Sequence, residues 1–149
     1  MSLRRKAREL AVQVLYQWDV HHDTSGWMDD FWAQNKVHPE VKAFADQLVH
    51  GVIDHADELD RVIARSAEHW SVSRMAITDR TVLRVAVYEL LHMPGIPGRV
   101  TLNEAIDIVK LFGDEQSGSF VNGILDRILR EEPSLQAKAK EAMPSVAHD

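Results

Sequence analysis

The chain has 149 residues, enough for one domain around a single hydrophobic core. Hydrophobic residues make up 45% and charged residues 27%, the balance of a folded globular protein, and no apolar run approaches the ~20 residues that span a bilayer. Cysteine is absent, which excludes disulfides and thiol catalysis, and the net charge of −6 taken alone disfavours nucleic acid.

The charge is unevenly spread. Arg4, Arg5, Lys6 and Arg8 stand together against Glu9 alone, so the first ten residues carry about +3 and the remainder about −9. A local basic patch attracts phosphates whatever the whole-chain charge. The same patch also serves solubility, and charge by itself does not separate the two readings. Glu9 and Gln13 interrupt the apolar residues after the basic start, and there is no small-residue cleavage site. The expectation is a protein without a signal peptide, in the cytoplasm.

The first segment reads as a helix. Leu3, Ala7, Leu10, Ala11, Val14, Leu15 and Trp18 follow the i, i+3, i+4 spacing of one buried stripe. Arg5, Glu9, Val12 and Tyr16 fall away from it, with Arg8 at its edge. Tyr16 therefore faces outward, either to stack on a base or to pack against a neighbouring loop. His22 to Val37 reads as a loop in which Met28, Phe31 and Trp32 have short-helix spacing.

A second long helical region begins near Pro39, where proline suits the first turn, with Phe44, Leu48, Val49, Val52 and Ile53 on its apolar face. Leu59, Val62, Ile63 and Ala67 continue the pattern towards Trp70 after a bend, and Ser71 to Thr78 reads as a connection. From Thr78 the spacing predicts a helix apolar nearly all round, through Val82, Leu83, Val85, Ala86, Val87, Leu90 and Leu91. Such a helix belongs at the centre of a bundle. PGIPG must turn. Thr101 and Glu104 have capping-box spacing ahead of Leu102, Ala105, Ile106, Val109 and Phe112, and Gly113 can end that helix.

Ser117 or Ser119 is the expected start of the next helix, which buries Phe120, Val121, Ile124, Leu125 and Ile128. Gly123 interrupts it, which predicts close approach of another helix or backbone. Asn122 lies opposite the stripe, either capping a neighbour or facing a ligand. Pro133 breaks the pattern, leaving 133–149 as a frayed tail or a short final helix. No segment alternates with period two. The reading is an all-α bundle of about seven helices in a single domain, 1–149.

Chemistry is sparse. None of the eight histidines forms HExxH, and His50 and His55 are five apart, so they do not share a helical face. There is no P-loop, dinucleotide fingerprint or GxSxG elbow. Gly95-Ile-Pro-Gly98 matches the bare GxxG string of a KH clamp, but the strands that module requires are missing. No catalytic residue, metal or cofactor is expected, and the protein is not read as an enzyme.

Four segments nevertheless fall in a recognisable order: RRKARELAVQVLYQW, DRTVLRVAVYELL, VTLNEAIDIVKLFG and SGSFVNGILDRIL. From the first helix almost to residue 130 this resembles the NusB family of transcription antitermination factors. The same fold fronts certain rRNA cytosine methyltransferases, but 149 residues leave no room for a methyltransferase domain, so a free-standing factor is expected.

The resemblance implies two three-helix halves plus an additional helix, and a non-catalytic role. With ribosomal protein NusE, the factor binds boxA, a single-stranded segment of nascent rRNA-operon transcripts, and joins the antitermination complex on RNA polymerase. Free members occur as monomers or homodimers. Carried over by position, the RNA surface comprises Arg4, Arg5, Lys6, Arg8, Tyr16, Gln116, Ser117, Ser119, Phe120 and Asn122. The partner surface comprises Asp79 with Arg80 and Arg84. The loop QSGS departs from the more charged family pattern, and Phe120 fits core and base contact equally. A different class of reading is a protein-only helical adaptor whose basic start aids solubility.

Overall fold

The computed structural model describes residues 2–22 and 26–142; the end of the expected tail, 143–149, lies outside the described residues. Among the described residues the chain is helical, with no strand. In order come α1 (Leu3–His21), α2 (Trp27–Gln34), α3 (Pro39–Asp54), α4 (Ala56–Ser66), α5 (Ile77–His92), α6 (Gly98–Phe112), α7 (Glu115–Glu131) and α8 (Gln136–Ala142). Short 3-10 turns at Val72–Arg74 and Pro133–Leu135 precede α5 and α8. The bundle thus has one helix more than the seven expected, the difference being the short last one.

Local chemistry explains most boundaries. Ser2 caps α1 by accepting from the Arg5 amide at 3.0 Å. Pro39 opens α3, and His55 provides the bend between α3 and α4. The expected capping box at Thr101 does not form, because α6 starts three residues earlier, behind Pro97. Thr101 is inside the helix and buried, and its hydroxyl donates to Glu89 Oε1 at 3.2 Å. Neither serine starts α7. Asp114 does, accepting from the amides of Gln116 at 2.9 Å and Ser117 at 3.0 Å.

The helix α5 sits at the centre, packed against α1, α3, α4, α6 and α7. Its apolar circumference is consumed by that position: Val82, Leu83, Val85, Ala86, Val87 and Leu90 are all buried. Burial of each such leucine is worth roughly 1.5–3 kcal/mol. The first helix is covered more widely than its stripe predicts. It packs on both α3 and α5, which buries Glu9 and Val12 as well, while Leu3 at its free end stays exposed.

Two glycines are demanded by close approach. A Cβ on Gly51 of α3 would lie 2.1 Å from the Tyr88 ring, and one on Gly113 would lie 2.6 Å from the Ser117 hydroxyl. Gly123, where close approach was expected, faces open space.

Candidate nucleic-acid interface

The four cations at the start of α1 separate once the helix is packed. Arg4 is exposed, its guanidinium 5.0 Å from the Phe44 ring centroid, and Lys6 is exposed. Arg5 is half-buried and donates to Glu104 and, at 2.9 Å, to Asp107; the Glu104 hydrogen bond, opposed by partial burial, holds it above the usual arginine range. Arg8 is only 2% exposed and makes a two-pronged pair with Glu89, at 2.7 and 2.8 Å.

Arg8 was expected to contact RNA, and the structure corrects this. Glu89 is 1% exposed, and freeing Arg8 would strand a buried carboxylate. The same position is sealed from the far side by Lys138 of α8. Its ammonium donates to the backbone carbonyls of Glu89 at 2.9 Å and Met93 at 2.8 Å.

Tyr16 is 37% exposed, as its outward position predicts. It lines a groove of about 840 Å³ with Phe31 of α2, Thr78 of α5 and Phe112 of α6. Among the described residues no lysine or arginine lines that groove, so Tyr16 is separated from the basic cluster.

At the start of α7, Gln116, Ser119 and Asn122 are exposed. Ser117 is a second correction: it is buried, and its hydroxyl donates to Asp114 Oδ1 at 3.2 Å. Phe120 packs partly into the core and meets Trp70 edge to face, with ring centroids 6.2 Å apart and planes at 82°. Trp70 is 53% exposed. Sequence reasoning treated it only as the end of a stripe. Its position in a connecting segment, where no periodicity accounts for a tryptophan, was the available signal.

Of the expected partner surface, Arg80 and Arg84 are both paired within the chain. Arg80 donates to both oxygens of Asp19, at 2.6 and 2.9 Å, and Arg84 donates to Asp60 at 2.8 and 3.0 Å and to Asp19 at 3.1 Å. Burial alone would push the Asp19 carboxyl up. The Arg80 hydrogen bond and the two guanidinium charges overcome it and hold Asp19 below the usual carboxylate range. Arg80 is correspondingly raised by its hydrogen bond to Asp19. These groups tie α1, α4 and α5 together. Asp79 differs: it is 9% exposed, and its Oδ1 has no hydrogen-bond partner.

Asp79 shares a cleft of about 240 Å³ with Trp70, Arg74, Gln116, Ser117 and Phe120. The structure thus joins one residue expected for a protein partner to three expected for RNA. Among the described residues no three histidines, aspartates or glutamates are placed to hold a metal ion. The nearest grouping is His92, paired with Glu58 at 2.6 Å and 4.3 Å ring to ring from His55. No helix of the described residues is long and apolar enough to cross a membrane.

The fold defines the class: an all-α helical domain with exposed cations at the start of α1 and exposed aromatic rings at Tyr16 and Trp70. The chain belongs to the NusB family, whose model matches residues 5–130. It is 40% identical over 147 residues to the transcription antitermination protein NusB of Desulfosudis oleivorans, covering 96% of each chain. It is 40% identical over 149 residues to that of Desulfitobacterium hafniense, covering 98% of this chain and 99% of the relative. Among solved structures, T. maritima NusB superposes with a TM-score of 0.79 at 36% identity, over 94% of this chain and 99% of that one. A chain in the crystal structure of antitermination factors NusB and NusE in complex with dsRNA gives 0.79 at 30% identity, over 87% of this chain and 98% of that one.

Proposed function

We propose that this chain is an RNA-binding transcription antitermination factor without catalysis or cofactor. With ribosomal protein NusE it binds boxA-like single-stranded RNA on nascent rRNA-operon transcripts in the cytoplasm and joins the antitermination complex on RNA polymerase. The observation that carries this reading is the match along nearly the whole chain to a protein solved with NusE and RNA.

On this reading Arg4 and Lys6 meet phosphate, with Arg5 contributing what Glu104 and Asp107 leave free. Gln116, Ser119, Phe120 and Asn122 extend that surface along α7. Arg8 and Ser117 support it from beneath. Tyr16 offers an exposed ring for a base from its own groove, and Asp79 with Arg80 and Arg84 at the start of α5 marks the side that meets NusE. On this surface few cations among the described residues are open to phosphate, so the chain alone binds RNA weakly and with strong salt dependence. NusE supplies the missing surface.

The test is a salt-titrated measurement of boxA-like RNA binding with and without NusE. Tighter binding in its presence is expected. Failure of both NusE and RNA to bind at low salt overturns the proposal.

A further inference from the structure

We propose that the Trp70 cleft is a subsite for one nucleobase and that it selects bases carrying an exocyclic amino group. The inference rests on the RNA-binding reading above and adds what part of the RNA is recognised there.

Three groups that a nucleotide needs converge on this cleft. Trp70 offers an exposed indole face, with Phe120 set edge-on at 82° to make a corner. A base stacked on an aromatic ring gains affinity whatever its identity, because every base has a π-face. Arg74 is exposed and lines the same cleft, so its guanidinium is available to a phosphate. Asp79 is more than nine-tenths buried and lines the cleft, and its Oδ1 has no partner. A buried acceptor without a donor is costly, and a ligand that brings a donor removes the cost.

The charges orient the ligand. The Asp79 carboxylate repels phosphate and the Arg74 guanidinium attracts it, so the base points towards α5 and the backbone towards Arg74. At the base edge the carboxylate takes only donors. Cytosine N4, adenine N6 and guanine N2 supply an amino group, whereas uracil presents carbonyls on both sides of its one N–H. Asp114, also at the cleft, already accepts at Oδ1 from the amides and hydroxyl at the start of α7.

A peptide fits these observations less well. An arginine or lysine side chain reaching Asp79 meets the Arg74 charge, and an aromatic side chain on Trp70 leaves Asp79 Oδ1 without a donor. The cleft, at about 240 Å³, takes one flat ring system and not a helix, which is ≈10–12 Å across.

The experiment compares short oligocytidylate and oligouridylate of equal length, bound at low salt to the full chain with NusE. The two probes differ by an amino group against a carbonyl. The parent protein is expected to prefer cytidine. Trp70→Ala, a change at an exposed side chain, is expected to weaken oligocytidylate about ten-fold. Asp79→Asn keeps the shape and is expected to narrow the cytidine-over-uridine preference about five-fold, which a merely structural role for Asp79 would not do.

Unchanged binding and preference in both variants, while Arg4→Ala with Lys6→Ala still weakens RNA, overturns the subsite and leaves the RNA-binding reading standing. Loss of NusE capture with RNA preference intact assigns the cleft to protein and also overturns the proposal. A parent protein that binds neither probe overturns the reading beneath it.

Discussion

Arg4 and Arg8 stand one helical turn apart on α1, and the fold treats them in opposite ways. Arg8 is enclosed with Glu89 in the packing of α1 on α5, while Arg4 lies over Phe44 with its charge open to solvent. The same division runs through the molecule. Arg80 and Arg84 are consumed by Asp19 and Asp60, whereas Lys6 and Arg74 stay exposed. The arginines here range from enclosed struts such as Arg8 to open charges such as Arg4, with Arg5 between them. The choice turns on whether a carboxylate from another helix arrives at the same depth.

The sharpest way to break this division is Arg8→Ala, which leaves the buried Glu89 without its guanidinium and with the Thr101 hydroxyl as a donor. It should cost about 3–5 kcal/mol in urea unfolding, with RNA binding per folded molecule unchanged. Equal loss of RNA affinity in the folded fraction would return Arg8 to the binding surface.

Next comes Asp19→Asn, which takes the carboxylate from Arg80 and leaves Arg84 with Asp60 at the α1–α5 junction. A loss of about 2–3 kcal/mol at neutral pH is expected, less than for Arg8 because the site is less enclosed. The folded carboxyl of Asp19 lies below its unfolded value, so its stabilisation is present above about pH 4 and disappears as pH falls through the lowered value. The parent should therefore lose stability on acidification below about pH 4 more steeply than Asp19→Asn does. Parallel acid profiles would deny the linkage.

Gly123→Ala should act in the opposite direction. A Cβ there meets nothing, and alanine in an exposed helix interior stabilises by about 0.5–1 kcal/mol over glycine. A raised thermal midpoint checks it; a lowered one would mean that a neighbour does approach in solution.

The smallest stability effect belongs to Arg4→Ala with Lys6→Ala, within about 0.5 kcal/mol of the parent. Their signature is instead in RNA binding. The dependence of log affinity on log salt should flatten by about 1.4, for two phosphate contacts on a single strand. An unchanged slope would move the phosphate contacts elsewhere.

Much of the bundle was readable because its signals are local. Pro39 marks the start of α3, the all-round apolar run from Val82 to Leu91 places α5 at the centre, and Gly113 ends α6. Most of the failures needed a partner from another element of the chain, whereas Ser117 was claimed by Asp114 only three residues away. Arg8 reads as surface until Glu89, 81 positions later, is brought against it. Thr101 reads as a cap until that same Glu89 claims its hydroxyl. Arg80 and Arg84 read as partner-facing because Asp19 lies more than sixty residues away. Trp70 went unassigned because single exposed aromatics in connections have no spacing to betray them. The resemblance to a family located a surface, and only packing sorted the cations within it.

The pairing of Arg8 with Glu89 also has a meaning in time. A ribosome adding about 5–20 residues per second takes roughly 4–16 s to pass from one to the other. During that interval the first helix can meet α3 but not α5, and its arginine lacks Glu89. Lys138, which seals the Glu89 carbonyl, is made 49 residues later still. The N-terminal helix of the nascent chain is therefore left waiting, its stripe a target for whatever shields unfinished proteins. Enclosure of the Arg8–Glu89 pair therefore waits on segments made long after the first helix.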